Sequence, residues 1–580
     1  MAKTYRKVEK GLRQLKKVTT PKKCTKNTPN LIEKGRVFWY NFCMISTQIN
    51  QGNYNAFQPH MLLQIPSNFD VIDKDDIFFT VLEIVEGVKL SDFINFKKSR
   101  SDGYDRLALF SALLLSLAIH GKLVSLRDLE KECKYDVRFQ MLLNGERPSY
   151  KTFERFINEN LCLGIEELLK KLNLYIMDHT HIDRDILYID GTKYEAYANK
   201  MTFVWKKATD KFYARNWAKA INVIRELNTY FNERNVDIHY SILKKPNFLY
   251  LLKITDKLED YIKAKGIRFA HGKGKRKTEL QRLYERIADC AMKMMKYEIH
   301  YDLFQGRNSF SKTDPDAAFL HMKYDYYNHT NVFKPGYNVQ MGVMDGYIMN
   351  ILINTEANDM GSFQATVEKY KEMYGEYPKG VSADAGYGSK LNYKYCDRNG
   401  ITAYIKYPSY EKEQKKKTKN NMYRSIQFER DENHMPICPA GHEFTIEKLI
   451  VKTDENQLPE THVYTRNEHC QECPMRSKCT KAKNGRTMKI DLTLEAQKSK
   501  VRKLLKSEEG KQIMRNRSIQ SEGAFGVLKE DYGFDRLSRR GETGVKIEVY
   551  SASIGYNIKK YHKAKMKQEE LKKGENAKLS

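Results

Sequence analysis

The sequence predicts an α/β protein in which a helical segment precedes a sheet that is interrupted by insertions. Three observations carry this. Between residues 186 and 406, short apolar runs of strand length alternate with stretches of helical period. Residues 104 to 175 show helical signals alone. Residues 203 to 300 are charged and helical in period, so they read as an interruption of the sheet region. At 580 residues the chain is too long for one ordinary domain, and several domains, or one with large insertions, are expected.

The elements follow in order. Residues 1 to about 100 are mixed and give no clear pattern. Leu107 to Ile119 (LALFSALLLSLAI) reads as a buried helix ending near Gly121. Ser125, with Asp128 three positions on, has a capping pattern and starts another helix. Pro148-Ser149 opens a third, Tyr150 to Asn160. Short helices with tight links fit a helix-turn-helix-like bundle as well as plain helical packing. Ile186 to Asp190 reads as a short strand ending in an acid, with a turn at Gly191-Thr192 and Tyr194 to Tyr197 pairing back. Gly346 between two apolar runs, 336–345 and 347–353, predicts a hairpin. A helix over about 362–373, a strand over Gly380 to Ala383, a helix from Lys390 and a strand over 401–406 complete the alternation. Residues 411 to 425 are polar and basic, a boundary. A helix resumes with Thr493 as its cap, breaks near Gly510 and runs to about Lys529; the charged tail after Lys563 reads as disordered.

Charge narrows the partner. Lys plus Arg number 101 against 73 Asp plus Glu, a net charge of +28. Cationic surface on this scale releases counterions from nucleic acid, so a polyanion partner is expected. The first residues carry no apolar core of a signal peptide, and the longest apolar run falls short of the ~18 residues of a membrane span. Without an export signal the ten cysteines belong to a reducing, cytoplasmic compartment, where disulfides are rare.

Three carboxylates stand out. Asp190 and Asp384 each end a strand, and Asp384 lies in SADAGYGS, a tip cleared of bulk by small residues. Glu522 lies in the late helix. Three acids gathered at 4–5 Å repel by roughly 3–4 kcal/mol per pair at an effective dielectric near 20, a cost that divalent cations cancel. Oxygen-only ligands suit Mg²⁺ or Mn²⁺, and two such ions serve in-line phosphoryl transfer. Gly386 and Gly388 would keep the tip open to metal and phosphate. Arg515, Glu522 and Lys529 are seven apart and would share one helical stripe, either phosphate contacts around a ligand or a solvated salt-bridge face. Asp345, Asp185, Glu195 and Glu530 compete with these acids.

Cysteines cluster in one segment. Cys438-Pro-Ala-Gly-His442 precedes His469-Cys470-Gln-Glu-Cys473 and Cys479. Cys438, Cys470, Cys473 and Cys479 form a set suited to tetrahedral structural zinc, with His442 or His469 as a substitute for one thiolate.

The strings IDGTKYEAYANK (189–200), SKTDPDA (311–317), KPGYNVQ (334–340), SADAGYGS (382–389), SEGAFGVLK (521–529) and RGETGVKIEVYSASIGYNIKK (540–560) resemble those of DDE transposases of bacterial insertion sequences. The resemblance spans nearly the whole chain. It implies an RNase H-like core, catalytic and metal-holding roles for Asp190, Asp384 and Glu522, and a Glu-x6-Lys pattern on Glu522 and Lys529. One position departs: the family's arginine four residues ahead of the glutamate falls on Ser518, beside Arg517. Arg515, Arg517, Lys529, Arg539 and Arg540 are expected to face DNA. The organisation expected is an N-terminal helical DNA-binding or dimerisation region (1–180), a core in two parts (181–410 and 493–562) with a helical insertion at about 203–310, a cysteine-rich insertion (411–492) and a basic tail (563–580). The implied protein binds the terminal inverted repeats of its element in double-stranded DNA, uses two Mg²⁺ ions and acts as a dimer or larger assembly near the nucleoid, with no membrane partner. A non-catalytic DNA-binding regulator and a stand-alone nuclease are the alternatives.

Overall fold

In the helix α2 (Arg106–His120), which follows α1 (Ile77–Gly87), the Asp105 side chain accepts the Leu107 N–H at 2.9 Å. Gly121 closes α2 at φ +69°, the left-handed conformation that glycine adopts without penalty. These caps bound an apolar stretch buried along almost its whole length. Ser125 and Asp128 cap α3 (Leu126–Tyr135) as expected, and α4 (Val137–Leu142) and α5 (Tyr150–Phe156) follow. One π turn, Ile157–Leu161, joins α5 to α6 (Cys162–His179). The computed structural model describes residues 72–88, 103–272, 274–325, 330–356, 359–453 and 459–579. Most of the expected region 1–100 therefore lies outside the described residues.

The main sheet is mixed. β1 (Ile186–Glu195) pairs antiparallel with β5 (Thr330–Met344) and parallel with β7 (Gly380–Ala383). Before β5 come β2 (Phe203–Trp205), the helices α7 (Lys206–Asn232), α8 (Phe248–Ala264) and α9 (Glu279–Phe304), then β3 (Ser309–Ser311) and β4 (Ala318–Asp325). After it come β6 (Tyr347–Asn354), α10 (Ser362–Tyr374), β7, α11 (Lys390–Arg398) and β8 (Thr402–Ile405). The strand order is β4-β5-β1-β7-β8, with β6 also on β5. A mixed sheet of this order, with helices between its parallel strands, is consistent with an RNase H-like domain. The predicted hairpin forms through Asp345 (φ +46°) and Gly346 (φ +75°), the positive-φ pair of a tight hairpin turn.

Two local expectations are corrected. Gly191-Thr192 does not turn the chain: β1 runs straight through it, opposite Gln340 and Val339. The Gln340 side chain occupies the space that a Cβ on Gly191 would fill, at 2.6 Å, so this glycine admits a neighbour rather than a bend. The tail after Lys563 is not disordered, because the final helix, Gly541–Leu579, continues through it. Its Lys- and Glu-rich sequence has high helix propensity.

The interruption α7–α9 is a bundle with its own apolar core, including Trp217, Leu227, Phe231, Leu258, Ile287 and Met294. It is carried on the two-stranded ribbon β2–β3. The cysteine-bearing segment holds β9 (Glu429–Arg430), β10 (Pro436–Ile437) and a three-stranded sheet of β11 (Thr445–Thr453), β12 (Pro459–Asn467) and β13 (Arg486–Asp491). β13 runs directly into α12 (Leu492–Lys506), whose cap is Asp491, not Thr493; its carboxylate accepts the Leu494 N–H and pairs with Lys390 at 2.6 Å. The break comes at Ser507, which caps α13 (Glu508–Arg517) by accepting the Gly510 N–H.

The final helix, α14 (Gly541–Leu579), packs on α2, α6 and β6. A Cβ on Gly555 would lie 2.3 Å from the Leu117 carbonyl oxygen, so glycine lets these two helices cross closely. Buried Asn557 exchanges hydrogen bonds with Ile348 in β6 and donates to Asn173 in α6. The helices ahead of the sheet thus share a core with the C-terminal helix, and residues 77–580 form one compact unit.

Candidate active site

The two aspartates come together by register. The parallel pairing of β1 with β7 ends at Ile189↔Ala383, so Asp190 and Asp384 are the next residues on neighbouring strands. Asp190 does not end its strand, as the sequence suggested; it lies mid-way along β1, at the point where β7 stops. Asp384 is exposed and starts the 3₁₀ turn Ala385–Tyr387, while Asp190 is half-buried and its Oδ1 accepts the Gly191 N–H at 2.9 Å. Burial pushes the Asp190 carboxyl up to about 6. The Gly191 N–H and the Arg517 charge oppose that rise, and the charges of Asp384 and Glu522 add to it. The three predicted carboxylates therefore lie within electrostatic reach of one another.

Glu522 sits at the end of a π turn, Ser518–Glu522, that follows α13. In an unbroken α-helix, residues five apart lie about 140° around the axis from each other and do not meet. The π turn takes up the extra residue, and Arg517 Nη2 donates to Glu522 Oε1 at 3.2 Å. Arg517, five residues ahead, thereby meets Glu522 as a residue four ahead would in an α-helix, and its charge also acts on Asp190. The seven-residue stripe is broken: Arg515 is exposed and donates to Gln512 at 2.7 Å. Lys529 lies in a second π turn, Val527–Asp531. Its Nζ bonds Thr192 Oγ1 and the Lys193 carbonyl, and it lies over the Tyr194 ring at 4.9 Å. Thr192 is two residues beyond Asp190 and so on the same face of β1.

Beneath the acids lies a polar network that the sequence reading missed. The Tyr387 hydroxyl donates to Gln340 Oε1; Gln340 Nε2 donates to Asn338 and Asp359, and Asn338 Nδ2 donates to Asp359 at 2.7 Å. Tyr387, Gln340 and Asn338 are buried, and the network ties the turn after Asp384 to β5. Its signal was two amides, Asn338 and Gln340, at alternate positions of an otherwise apolar strand. Of the two glycines after Asp384, only Gly386 faces open space; a Cβ on Gly388 would meet the Lys406 carbonyl oxygen at 2.2 Å, so Gly388 serves the packing of the turn on the chain that leaves β8.

Two of the competing acids are ion-paired. Glu195 pairs with Lys334, Asp185 with Lys379 at 2.8 Å, and Asp345 occupies the β5–β6 turn near Asp183. Glu530 is exposed. Arg539 is half-buried, donates to Asn158 at 3.1 Å, and has its pKa lowered by burial. Arg540 is exposed, donates to the Tyr197 carbonyl at 2.8 Å and stacks on the Tyr197 ring.

Cys438, Cys470, Cys473 and Cys479 line one cavity together with His442 and His469. Two backbone N–H groups point at sulfur: His442 to Cys438 Sγ and Arg486 to Cys470 Sγ, both at 3.4 Å. The Arg486 guanidinium reaches Cys479 Sγ at 3.2 Å. The two histidine rings stack at 4.5 Å. Among the described residues, no three His, Cys, Asp or Glu side chains converge into a ready-made metal site, here or at the carboxylates.

Residues 437–562 match the family model described as Transposase DDE domain. The match takes in the cysteine cluster, Glu522, Arg517 and Lys529, and leaves Asp190 and Asp384 outside it. It supports a DDE transposase, an enzyme class with DNA as substrate and divalent metal ions in general use. No curated protein and no solved structure matches the chain. Among the described residues, no helix is long and apolar enough to cross a membrane.

Proposed function

We propose that the chain is a DNA transposase of an insertion sequence, which binds the terminal inverted repeats of its element, cleaves at the ends and joins the freed 3′-hydroxyls to target DNA. The observation that carries this reading is the register of β1 and β7, which sets Asp190 beside Asp384, with Glu522 close enough to act on the Asp190 carboxyl. Asp190, Asp384 and Glu522 would hold Mg²⁺ or Mn²⁺. The fit is one of donor chemistry: three carboxylates with oxygen donors only, of which Asp190 is raised chiefly by burial and further by the charges of Asp384 and Glu522, so that a bound cation would favour its ionised form. When bound, the metal supplies activation of water and stabilisation of charge on the phosphate.

The chain's own residues position the DNA. Arg517 and Lys529 present cations on either side of Glu522, where backbone phosphates flanking the scissile bond would lie, and the Tyr387–Gln340 bond keeps the Asp384 turn fixed against β5. A dimer or larger assembly is expected because two ends must be joined. The test supplies DNA ending in the element's own inverted repeats, Mg²⁺ and a target plasmid. Joined products are expected; cleavage without joining, with no preference for the repeats, would assign a nuclease instead, and binding without either would assign a regulator.

The four thiols would hold one structural zinc. The four sulfurs line one cavity, and the segment has only a small apolar core of its own, around Met435, Val463 and Ile490, which a bound metal would supplement. Protein purified without chelator is expected to contain about one zinc per chain by elemental analysis. Cys473→Ser should lose it and loosen residues 426–490 in hydrogen exchange. Metal-free wild-type protein with unchanged exchange there would rule the site out.

A further inference from the structure

The geometry points to a stacking platform for unpaired DNA bases, formed by Phe203, Trp205, Phe319 and Phe333 beyond the end of β1. It rests on the reading of DNA as substrate and adds the state of the strand that is bound. β1 ends at Glu195, opposite Gly336, whereas β5 starts at Thr330 and pairs with β4 outward from Ala318↔Gly336. The β4–β5 ribbon thus projects past its neighbour. On it, Phe319 and Phe333 are diagonal cross-strand neighbours, and their rings stack at 5.0 Å with an interplanar angle of 12°. From the β2–β3 ribbon, Phe203 meets Phe319 edge-on at 4.6 Å and Trp205 does so at 5.3 Å.

Trp205 is 44% exposed, and Phe333 is 46% exposed. Four contiguous rings, two of them half in water, form the kind of patch that marks a binding surface. Strand alternation puts Phe333 on the face of β5 that also carries Met341, the residue opposite Asp190. The platform and the carboxylates therefore share one face of the sheet, eight residues apart along β5, about 27 Å at the rise of an extended strand.

Charge selects the occupant. Lys206 and Lys207 follow Trp205 and are exposed. A second copy of the chain docking here would set these lysines against their own images. A polyanion gains from them, and flat aromatic faces suit bases, which stack on such rings without regard to sequence. Within a duplex those base faces are already stacked on each other, so the ligand is a strand with unpaired bases.

The test uses the full chain with Asp384→Asn, so that DNA stays intact, and with Trp39→Phe and Trp217→Phe, so that Trp205 is the one remaining tryptophan of the three. Oligothymidylate should quench its fluorescence; an abasic strand of equal charge and a blunt duplex should not at the same concentration. Trp205→Ala and Phe333→Ala, made with native Trp39 and Trp217 and read by oligothymidylate anisotropy, should each weaken binding about 5- to 150-fold, and Trp205→Phe should restore most of it. Phe333→Ala, on the projecting ribbon, serves if Trp205→Ala melts early. Equal quenching by the abasic strand would reduce the patch to charge alone, and altered sedimentation with unchanged DNA affinity would make it a subunit contact; either overturns the proposal. A chain that binds oligothymidylate here yet neither cuts nor joins DNA would overturn the transposase reading and leave the platform standing. Normal joining by Trp205→Ala with unchanged oligothymidylate affinity would do the reverse.

Discussion

Asp190→Asn, Asp384→Asn and Glu522→Gln are each expected to lower DNA end cleavage by at least about 1,000-fold, close to 4 kcal/mol of transition-state stabilisation, while end binding changes little. The size follows from the charges. Each substitution removes one of the three anions that would hold the cations of the proposed site, and the neutral amide keeps the shape. The Asp190 variant has a second consequence: burial already disfavours that carboxylate, so the amide should be tolerated and the protein should melt no earlier than wild type. Glu195→Gln and Asp345→Asn are the controls, because both acids lie outside the β1–β7 junction. Single-turnover cleavage at saturating end DNA in Mg²⁺ decides. Near-normal cleavage by any of the three variants removes that residue from the site, and a loss with Asp345→Asn of the same size would move the site to the β5–β6 turn.

The parts legible in the sequence were those with a local cause. The Asp345-Gly346 turn, the strand Gly380–Ala383, and the helices at Ser362–Tyr374 and Lys390–Arg398 follow from turn chemistry and apolar period, and they stand where expected. The errors came where a distant partner decides. Gly191 looks like a turn until Gln340, on a strand about 150 residues later, fills its missing side chain. Asp190 looks like a strand end because the sequence does not show that β5 pairs on past it to Glu195. The carboxylate pair was found from two strands each carrying an acid, but its side-by-side placement is a matter of β1–β7 register, which no single segment encodes. The amides of the buried network were visible as residues and not as a network.

The π turn before Glu522 leads to the second large effect. A seven-residue spacing drew attention to Arg515, yet the inserted residue rotates Arg517 onto Glu522 and leaves Arg515 on the surface. Single π turns of this kind concentrate at functional sites. Arg517 is the cation set between Glu522 and Asp190; its side chain is only 15% exposed, and in the metal-loaded state it would be released from Glu522 toward a backbone phosphate. Arg517→Ala should therefore lower cleavage at saturating DNA by about 100-fold, roughly 2.7 kcal/mol, in the range for removing one donor to developing charge. Arg515→Ala should leave that rate within about threefold and at most flatten the salt dependence of binding by about one unit, the loss of one phosphate contact. Deleting Ser518 tests the geometry itself: it converts the π turn to α-helix with Arg517 four residues ahead of Glu522, and cleavage should stay well above that of Arg517→Ala. Thermal melting of the deletion variant checks that Ile513, buried on α13, keeps its packing. Equal effects of Arg517→Ala and Arg515→Ala would mean that the helix presents a solvated basic face with no privileged arginine, and the π turn would then have no part in placing one.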